Sequence, residues 1–266
     1  MSFMISSTLA ASEGGNALAV FASRNGNHQD DLFYELVVGT WGARPGCDGN
    51  DGVSNPCSVA ANIPVEVAEA DFPIIIERYG FVPDSGGPGE FRGGLAIERV
   101  WRTLTDETIL SVRSDRQVHR PYGLHGGSHG GPSANVISDG GGSRSFPPMF
   151  AVEIERDTRY HHRTAGGGGW GDPLARDCNA VLRDVIAEKI SREAALADYG
   201  VVLNDDRTVC EELTARERAS RRQAAGQRRI DPGRRRVEDD DRAAQGARAS
   251  GRTPANDQFE SGHDGA

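Results

Sequence analysis

Four glycine-rich segments divide this chain of 266 residues and restrict the folds that are open to it. They read GARPGCDGNDG, DSGGPGEFRGG, GLHGGSHGG and HHRTAGGGGWGDP. Glycine has no Cβ atom, so it suits tight turns and places where two backbones approach closely. Apolar and β-branched runs lie between these segments. The pattern therefore predicts a β-rich domain whose strands are connected by glycine loops.

The last segment contains the spacing G-x-G-x-x-G, which is typical of loops that bind dinucleotides. Such a loop follows a hydrophobic strand and opens directly into a helix whose N–H groups face the phosphates. Here the preceding sequence is polar, and an Asp-Pro pair puts a carboxylate where the helix would begin. We therefore interpret the segment as a tight structural turn packed by Trp170, or as a loop at an active site or interface. Its interface candidates are Gly166, Gly167, Gly168 and Gly169.

The charge balance excludes several classes of protein. The formal net charge is −9, which argues against a general nucleic-acid binder, because such a protein needs a basic face. Lys189 is the only lysine, so a P-loop lysine is not expected. No signal peptide is visible, and no run approaches the ~20 apolar residues of a membrane helix. These observations predict a cytoplasmic protein without a membrane or nucleic-acid partner.

Hydrophobic patterning predicts an α+β fold, with a β-rich domain over residues 1–213 that ends in two short helices. The predicted strands cover 32–41, 74–82, 95–104, 108–113, 134–137, 149–157 and 201–203. The strands on either side of residues 105–107 are predicted to form a hairpin, and a further turn is predicted at 139–142.

The helices are predicted near 173–188 and 191–199, where Asp172 and Ser191 are N-caps and Gly200 a left-handed C-cap. Residues 214–266 mix both charges and contain almost no large apolar residue. Such a segment cannot bury enough surface to offset its chain entropy, so we predict a disordered tail there.

The segment DSGGPGEFRGG supplies the candidates Asp84, Ser85 and Arg92. Ser85 lacks the G-x-S-x-G context of a nucleophile elbow. Arg92 lies among glycines, where its guanidinium could clamp a carboxylate or a phosphate, and it is a catalytic candidate for that reason. In the structural alternative, Arg92 pairs with Asp84 and holds the turn.

Histidines and aspartates elsewhere give weaker signals. His125 and His129 are four residues apart, but the glycines around them cannot form a stable helix, so this spacing does not indicate a metal site. His162, just before the glycine run, is a candidate acid or base, with a structural role as the alternative. Asp48 and Asp51 could bind calcium, although the EF-hand spacing is missing. The four cysteines form no C-x-x-C pair and are expected to be free thiols.

Three long motifs occur in order along the chain. GARPGCDGNDGVSN is followed by NIPVEVAEADFPIIIERYGFVPDSGGPGEFRGGLAIER, and then by HHRTAGGGGWGDPLARD with a helix and DYGVVL. Together they closely resemble the C-terminal half of the hydantoinase B/5-oxoprolinase family, which includes acetone carboxylase alpha subunits. The resemblance spans about residues 16–203. Arg44 and Asp48 in the first motif are further loop or interface candidates.

The resemblance implies a subunit of an ATP-dependent enzyme. Family members act with an ATP-binding hydantoinase A-type partner and open cyclic amides such as hydantoins or 5-oxoproline, whereas the relatives carboxylate ketones. The family's metal-binding histidines and aspartate lie in an N-terminal half, in a motif of the NDPY…GG…H…D kind that this sequence does not contain. We therefore assign no cofactor or metal ligand to this chain. ATP and a divalent metal are implied for the complete complex, a hetero-oligomer that includes the hydantoinase A-type partner and the N-terminal half.

Interpretations from different classes remain open. The chain is either a hydrolase subunit that is active only with its partners, or a catalytically inactive remnant or scaffold domain that keeps the family's interface. An independent nucleotide-binding module is a third possibility, and it predicts ATP affinity for the purified chain alone. A domain that is half of a larger assembly is also expected to expose an apolar surface, which favours association.

Overall fold

The computed structural model describes residues 9–13, 17–25, 29–54 and 60–230. Its strands are β1 (Ala17–Asn25), β2 (Gln29–Val37), β3 (Ile74–Val82), β4 (Ala96–Thr103), β5 (Thr108–Arg113), β6 (Ala134–Asp139), β7 (Gly142–Phe146), β8 (Met149–Ile154) and β9 (Arg159–Arg163). Its helices are α1 (Val65–Asp71), α2 (Cys178–Ile186), α3 (Arg192–Tyr199) and α4 (Glu211–Ile230), with a short 3-10 helix at Pro173–Ala175. The predicted α+β class is confirmed. None of the helices in these ranges is long and apolar enough to cross a membrane.

The strands form two antiparallel sheets that share one core. The four-stranded sheet has the order β2-β1-β5-β8, and the five-stranded sheet has the order β3-β4-β9-β6-β7. Burial alternates along β4 and β5, so each strand turns one side towards the core, as the two-residue period of a strand requires. Phe33 and Leu110 from the first sheet join Trp101, Ile137 and Tyr160 from the second in a single hydrophobic cluster.

The predicted hairpin around residues 105–107 is wrong, although both of its strands exist. β4 belongs to the five-stranded sheet and β5 to the four-stranded sheet, so the chain turns a corner between sheets there. Threonine hydroxyls hold this corner, since the Oγ1 of Thr108 lies 3.2 Å from that of Thr103 and 3.0 Å from that of Thr105. Strand periodicity indicates which side chains are buried but not which sheet receives the strand.

The sequence patterns also miss β1, β7, β9 and α1. β9 reads RYHHR and is polar in composition, yet Tyr160 and His162 alternate into the interior. Pro64 occupies the N-cap position of α1. The predicted strand at 201–203 is wrong, because the N–H groups of Val201 and Val202 bond to α3 and to the side chain of Thr214 instead of a sheet.

The C-terminal helices largely follow their predicted caps. The single helix expected at 173–188 is divided, because Asp172 caps the 3-10 turn and Asp177 caps α2. α3 begins after Ser191, whose hydroxyl accepts from the N–H of Ala194, and ends at Gly200 with a φ of 63°. These short helices pack around a second, smaller core that includes Val181 and Tyr199.

The predicted disordered tail begins too early. Residues 214–230 belong to α4, whose Glu, Ala, Arg and Gln residues have high intrinsic helix propensity. The start of α4 is anchored, because Thr214 is buried and Arg218 donates to the carbonyl of Tyr199. The chain divides into two compact units, of which the first ends at Arg218. In the second, the described residues 219–230 are helical, and residues 231–266 lie outside the described ranges.

One face of the four-stranded sheet carries exposed apolar side chains. They are Leu32, Tyr34, Ile109 and Met149. The strand registers place these residues on the same side of the sheet, in successive rows that run from β2 to β8. We call this surface the outer apolar face. The exposed Arg113 and Glu153 lie on the same side of the sheet, in the rows of Met149 and Ile109.

Candidate functional site

The run Gly166–Gly169 is an extended segment enclosed by the other glycine loops, and the tight turn considered above is wrong. Its four N–H groups donate to the carbonyls of Gly131, Gly94, Ala11 and Ser128 in turn, with N–O distances of 2.8 to 3.0 Å. The first and fourth glycines therefore reach the same neighbouring segment. A backbone whose N–H groups point in the same direction every three residues, without internal hydrogen bonds, has the geometry of a polyproline II-type helix. We call residues 166–169 the glycine helix.

The glycine helix has no room for side chains. A Cβ atom on any of its residues would lie 1.8 to 2.2 Å from a backbone carbonyl oxygen, those of Ser85, Trp41, Tyr122 and Pro88 in turn. None of the four glycines has a positive φ, so close approach of backbones, and not unusual dihedral angles, makes glycine necessary here. The hydrogen bonds of this helix tie together loops from distant parts of the chain.

The same hydrogen bonds exclude a phosphate cradle at this segment. Trp170 donates its N–H to the carbonyl of Phe91, and Gly171 donates to that of Leu124, so six consecutive N–H groups from residue 166 to 171 have backbone acceptors. A phosphate-binding loop needs several such groups free to face the anion. The segment therefore does not fit ATP or a dinucleotide.

A network of buried and half-buried charges lies where the loop at residues 48–51, the loop at Arg92 and the C-terminal helices meet. We call it the charge network, and it comprises Asp48, Asp51, Arg92, Arg176, Asp184 and Lys189. Three carboxylates face three cations, so the network carries no net formal charge. Buried charges are tolerated when they are paired in this way.

Arg176 is the centre of the network. Its guanidinium makes a bidentate pair with Asp48, with both N–O distances at 2.7 Å, and donates to Asp184 at 2.7 Å. Burial alone would raise the pKa of Asp48, but the hydrogen bonds and charges of Arg176 and Arg92 outweigh it and lower that pKa. Asp48 is thus held ionised as an acceptor for arginine, an arrangement that does not leave it free for the calcium considered above.

Arg92 pairs with aspartates other than the one expected. The predicted Arg92–Asp84 pair is wrong, because Arg92 lies 3.3 Å from Asp51 and 3.5 Å from Asp184. Burial works against its charge, but those carboxylates raise its pKa overall. Arg92 therefore does bind carboxylates, as considered from the sequence, but they are the side chains of Asp51 and Asp184. Lys189 adds a further contact to Asp51 at 2.8 Å.

The remaining loop candidates lie apart from the charge network. Asp84 accepts from the N–H of Ser191 at 2.7 Å and so supports the start of α3. The hydroxyl of Ser85 donates to the carbonyl of Val82 and accepts from the N–H of Ala96, so both of its usual roles are occupied. Arg44 forms a small turn with Cys47. Of the candidates named from the sequence, the structure brings Asp48, Asp51 and Arg92 together in the charge network. Ser85 lies apart from the network, beside the glycine helix.

His162 is enclosed in the core and is 1% exposed. Burial, followed by the charge of His161, lowers its pKa to about 3, so the imidazole is neutral. Its Nδ1 lies 2.8 Å from Oδ1 of Asn135. His162 lines a cavity of about 10 Å³, too small for a substrate, together with Glu13 and Ser133.

No group of three or more His, Cys, Asp or Glu side chains in the described ranges is placed to hold a metal ion. The aspartates of the charge network are already paired with arginine and lysine side chains. The divalent metal implied by the resemblance therefore does not fit these residues. Cys47, Cys178 and Cys210 are free thiols, as predicted, and Cys57 lies outside the described ranges.

Comparison with known proteins identifies the family of this chain. A sequence profile described as hydantoinase B/oxoprolinase matches residues 2–173, which include all four glycine-rich segments. The chain belongs to the hydantoinase B/oxoprolinase family. Its relatives include an uncharacterised protein, MJ0963, of Methanocaldococcus jannaschii, with 38% identity over 70% of this chain and 33% of the relative. A putative D-/L-hydantoinase subunit from a Pseudomonas species is 29% identical over 75% of this chain and 34% of the relative.

A solved structure shares the fold of this hydantoinase B/oxoprolinase chain. The ATP-dependent caprolactamase from Pseudomonas jessenii superimposes with a TM-score of 0.70 and 25% identity, covering 79% of this chain and 38% of that one. The chain spans about a third of the length of the curated relatives described above. The family and the fold are therefore established, whereas the activity of the larger proteins does not transfer with them.

Sequence reasoning missed Arg176, Asp184 and Glu13. Asp184 carried a usable signal, since it lies three residues after Val181 on the buried side of α2, where a charge requires a partner. Arg176 gave no such signal, because it lies in an irregular stretch between two caps. Its bidentate pair with Asp48 joins residues 128 positions apart in the chain, which no local pattern can reveal.

Replacing Glu13 by glutamine should remove a pH dependence of stability. Glu13 is 3% exposed, and burial raises its pKa to about 8, against the opposing hydrogen bonds from the N–H groups of Gly39 and Thr40. The unfolded chain ionises this group near pH 4.5, while the native state keeps its proton until about pH 8. Stability that is fully present below pH 4.5 is therefore lost as the pH rises through this window, by up to about 1.4 kcal/mol per pH unit.

Urea denaturation of the wild type and of Glu13→Gln across that window tests this expectation. Glutamine cannot ionise, so the free energy of unfolding of the wild type should fall relative to the variant as the pH rises. Glu35, whose pKa burial raises to about 7, is present in both proteins and cancels in the difference. Parallel curves for the two proteins would show that Glu13 ionises normally in the folded state.

Proposed function

We propose that this chain is a subunit of an ATP-dependent enzyme that opens cyclic amides such as hydantoins or 5-oxoproline. In this proposal it acts with a hydantoinase A-type partner, which binds the ATP, and with a polypeptide that supplies the divalent metal. Family membership carries the proposal, and the names of the hydantoinase and caprolactamase relatives favour amide substrates. The hydantoinase relative is itself named as a subunit, which supports a hetero-oligomer.

The chemistry of the described residues supports this division of labour. The N–H groups of residues 166–171 are used within the fold, the six members of the charge network neutralise one another, and His162 borders a cavity that admits no substrate. In this proposal the chain is a scaffold that supports a reacting centre provided by a partner.

Co-expression tests the proposal directly. The chain is produced with a candidate hydantoinase A-type partner and with a polypeptide that contains the NDPY-type motif, and the purified complex is assayed with hydantoin, 5-oxoproline and ATP. Ring opening that requires both ATP and this chain is the expected result. Ketone consumption that requires bicarbonate would identify a carboxylase component instead. Assembly without either activity would favour an inactive scaffold, and turnover by the lone chain would overturn the proposed division of labour.

The outer apolar face is expected to take part in that assembly. Replacing Tyr34 and Ile109 together by glutamate places two charges on a surface that the partner would have to desolvate. We expect at least tenfold weaker association, about 1.4 kcal/mol, in titrations of the co-expressed partners, with little change in the melting temperature of the chain alone. The control is Leu196→Glu, an exposed apolar position on α3. Equal affinities for the two variants would remove this face from the interface.

A further inference from the structure

The small cavity beside His162 is built from polar groups of distant segments. Glu13 comes from the N-terminal segment, Ser114 and Asp115 follow β5, Ser133 precedes β6, and His162 belongs to β9. Its volume of about 10 Å³ is the space that one water molecule occupies. Polar lining and a volume for one water are the two conditions that separate a hydrated cavity from an empty one.

The hydrogen bonds around His162 determine which ring nitrogen carries its proton. The side-chain amide of Asn135 is oriented, because its Nδ2 donates to Oγ of Ser114 at 2.9 Å and to the carbonyl of Pro147 at 3.0 Å. Its Oδ1 can only accept, and it receives the hydroxyl of Tyr160 at 2.8 Å. The Nδ1 of His162, also 2.8 Å from this oxygen, must therefore be the protonated nitrogen.

The other ring nitrogen of His162 is then a lone-pair acceptor. Nε2 is buried and has no hydrogen-bond partner among the side chains and backbone groups of the described residues. Leaving such an acceptor unsatisfied costs about 1–3 kcal/mol, so a donor in the cavity would be stabilising. Asn135 and Tyr160, whose Oδ1 and hydroxyl lie 2.8 and 3.3 Å from Nδ1, do not line the cavity, whereas His162 does.

We propose that the cavity is a binding site for one water molecule, which donates a hydrogen bond to Nε2 of His162 and links it to the carboxyl group of Glu13. The protonated carboxyl group of Glu13 donates to the water oxygen, and the second water hydrogen faces an oxygen from Ser114, Asp115 or Ser133. The burial that raises the pKa of Glu13 keeps that proton in place at neutral pH. This water site is independent of the reaction that the assembled enzyme performs.

This water connects the N-terminal segment to the glycine helix. Residues 10 and 11 already bond to the glycine loops through Ala43, Tyr122 and Gly168. His162 lies four positions before Gly166, the first residue of the glycine helix. The water is therefore a structural link between the segment at residues 9–13 and the strand that leads into the glycine helix.

Two measurements on the wild-type chain test the proposal. Long-range ¹H–¹⁵N NMR of the histidine rings, assigned with His162→Gln, should show a proton on Nδ1 and a hydrogen-bonded, unprotonated Nε2. A crystal structure should show one ordered water within hydrogen-bond distance of both Nε2 and the Glu13 carboxyl group. A proton on Nε2, a dry cavity, or direct contact between Nε2 and Glu13 would overturn it.

A variant that fills the cavity provides an independent test. Ala165 borders the cavity and is buried, so Ala165→Val should displace the water and remove a long-lived water signal in ¹⁷O relaxation dispersion. Ala151→Val, on the exposed side of β8, is the matched control and should leave that signal unchanged. Survival of the signal in a folded Ala165→Val variant would count against the site. If that variant does not fold, the two wild-type measurements decide.

Discussion

Replacing Gly168 by alanine is expected to abolish cooperative folding of the chain. A Cβ atom at this position would lie 2.0 Å from the carbonyl oxygen of Tyr122 and 2.6 Å from its carbon. The obstacle is backbone that is itself hydrogen-bonded, since the Tyr122 carbonyl accepts from the N–H of Ala11, so it cannot rotate away as a side chain would. We expect a cost above about 4–5 kcal/mol, comparable with the whole stability of many domains.

Thermal and urea denaturation followed by circular dichroism measure this effect. Gly80→Ala is the matched control, because a Cβ atom there has no neighbour within 4 Å and the residue has no positive φ. Its stability should stay within about 0.5 kcal/mol of the wild type. Gly168→Val should be at least as damaging as alanine. A Gly168→Ala protein that melts with the wild type would show that the glycine helix is not tightly enclosed.

Replacing Arg176 by methionine is expected to cost about 3–5 kcal/mol of stability, because it leaves the buried Asp184 and the half-buried Asp48 without their main cation. Asp48 would lose its bidentate partner, and Asp184 would keep only the longer contact of 3.5 Å to Arg92. Methionine retains much of the aliphatic length of arginine, so the change removes charge more than packing. The free energy of unfolding from urea titrations is the quantity to compare.

Arg183→Met provides the control for this substitution within the same region. Arg183 lies on α2 and makes an ion pair with Asp177 at 3.8 Å, with 70% and 62% of the two side chains exposed. Exposed pairs of this kind contribute less than about 1 kcal/mol. The double variant Arg176→Met with Asp48→Asn should recover part of the loss, because one of the stranded charges is removed. Similar losses of stability for Arg176→Met and Arg183→Met would contradict a coupled charge network.

Local signals were sufficient for much of the fold. The strand at 74–82 and the N-cap and C-cap of α3 follow from composition, periodicity and capping chemistry, which act over a few residues. The hairpin expected between β4 and β5 failed because sheet membership depends on distant strands. β9 was missed because its interior side chains are Tyr160 and His162, which find polar partners in the core.

The candidate site divides in the same way. Composition and local motifs were enough to mark Arg92, Asp48 and the glycine run as unusual, and the resemblance of three ordered motifs led to the family. These signals did not reveal that Arg92 forms ion pairs with Asp51 and Asp184, because those partners lie 41 and 92 positions away in the chain. The interpretation of the glycine run as a turn was also wrong, since a polyproline II-type helix has no local hydrogen bonds that a sequence pattern could signal.

The sequence by itself determined the α+β class and the family, and it marked the glycine-rich segments as unusual, because these depend on residue type and order. Only the tertiary structure decided what each glycine faces, which aspartate each arginine neutralises and which polar groups surround His162. The physical reason is that hydrogen bonds and ion pairs act over about 3 Å in space, between residues whose separation along the chain leaves no periodic trace.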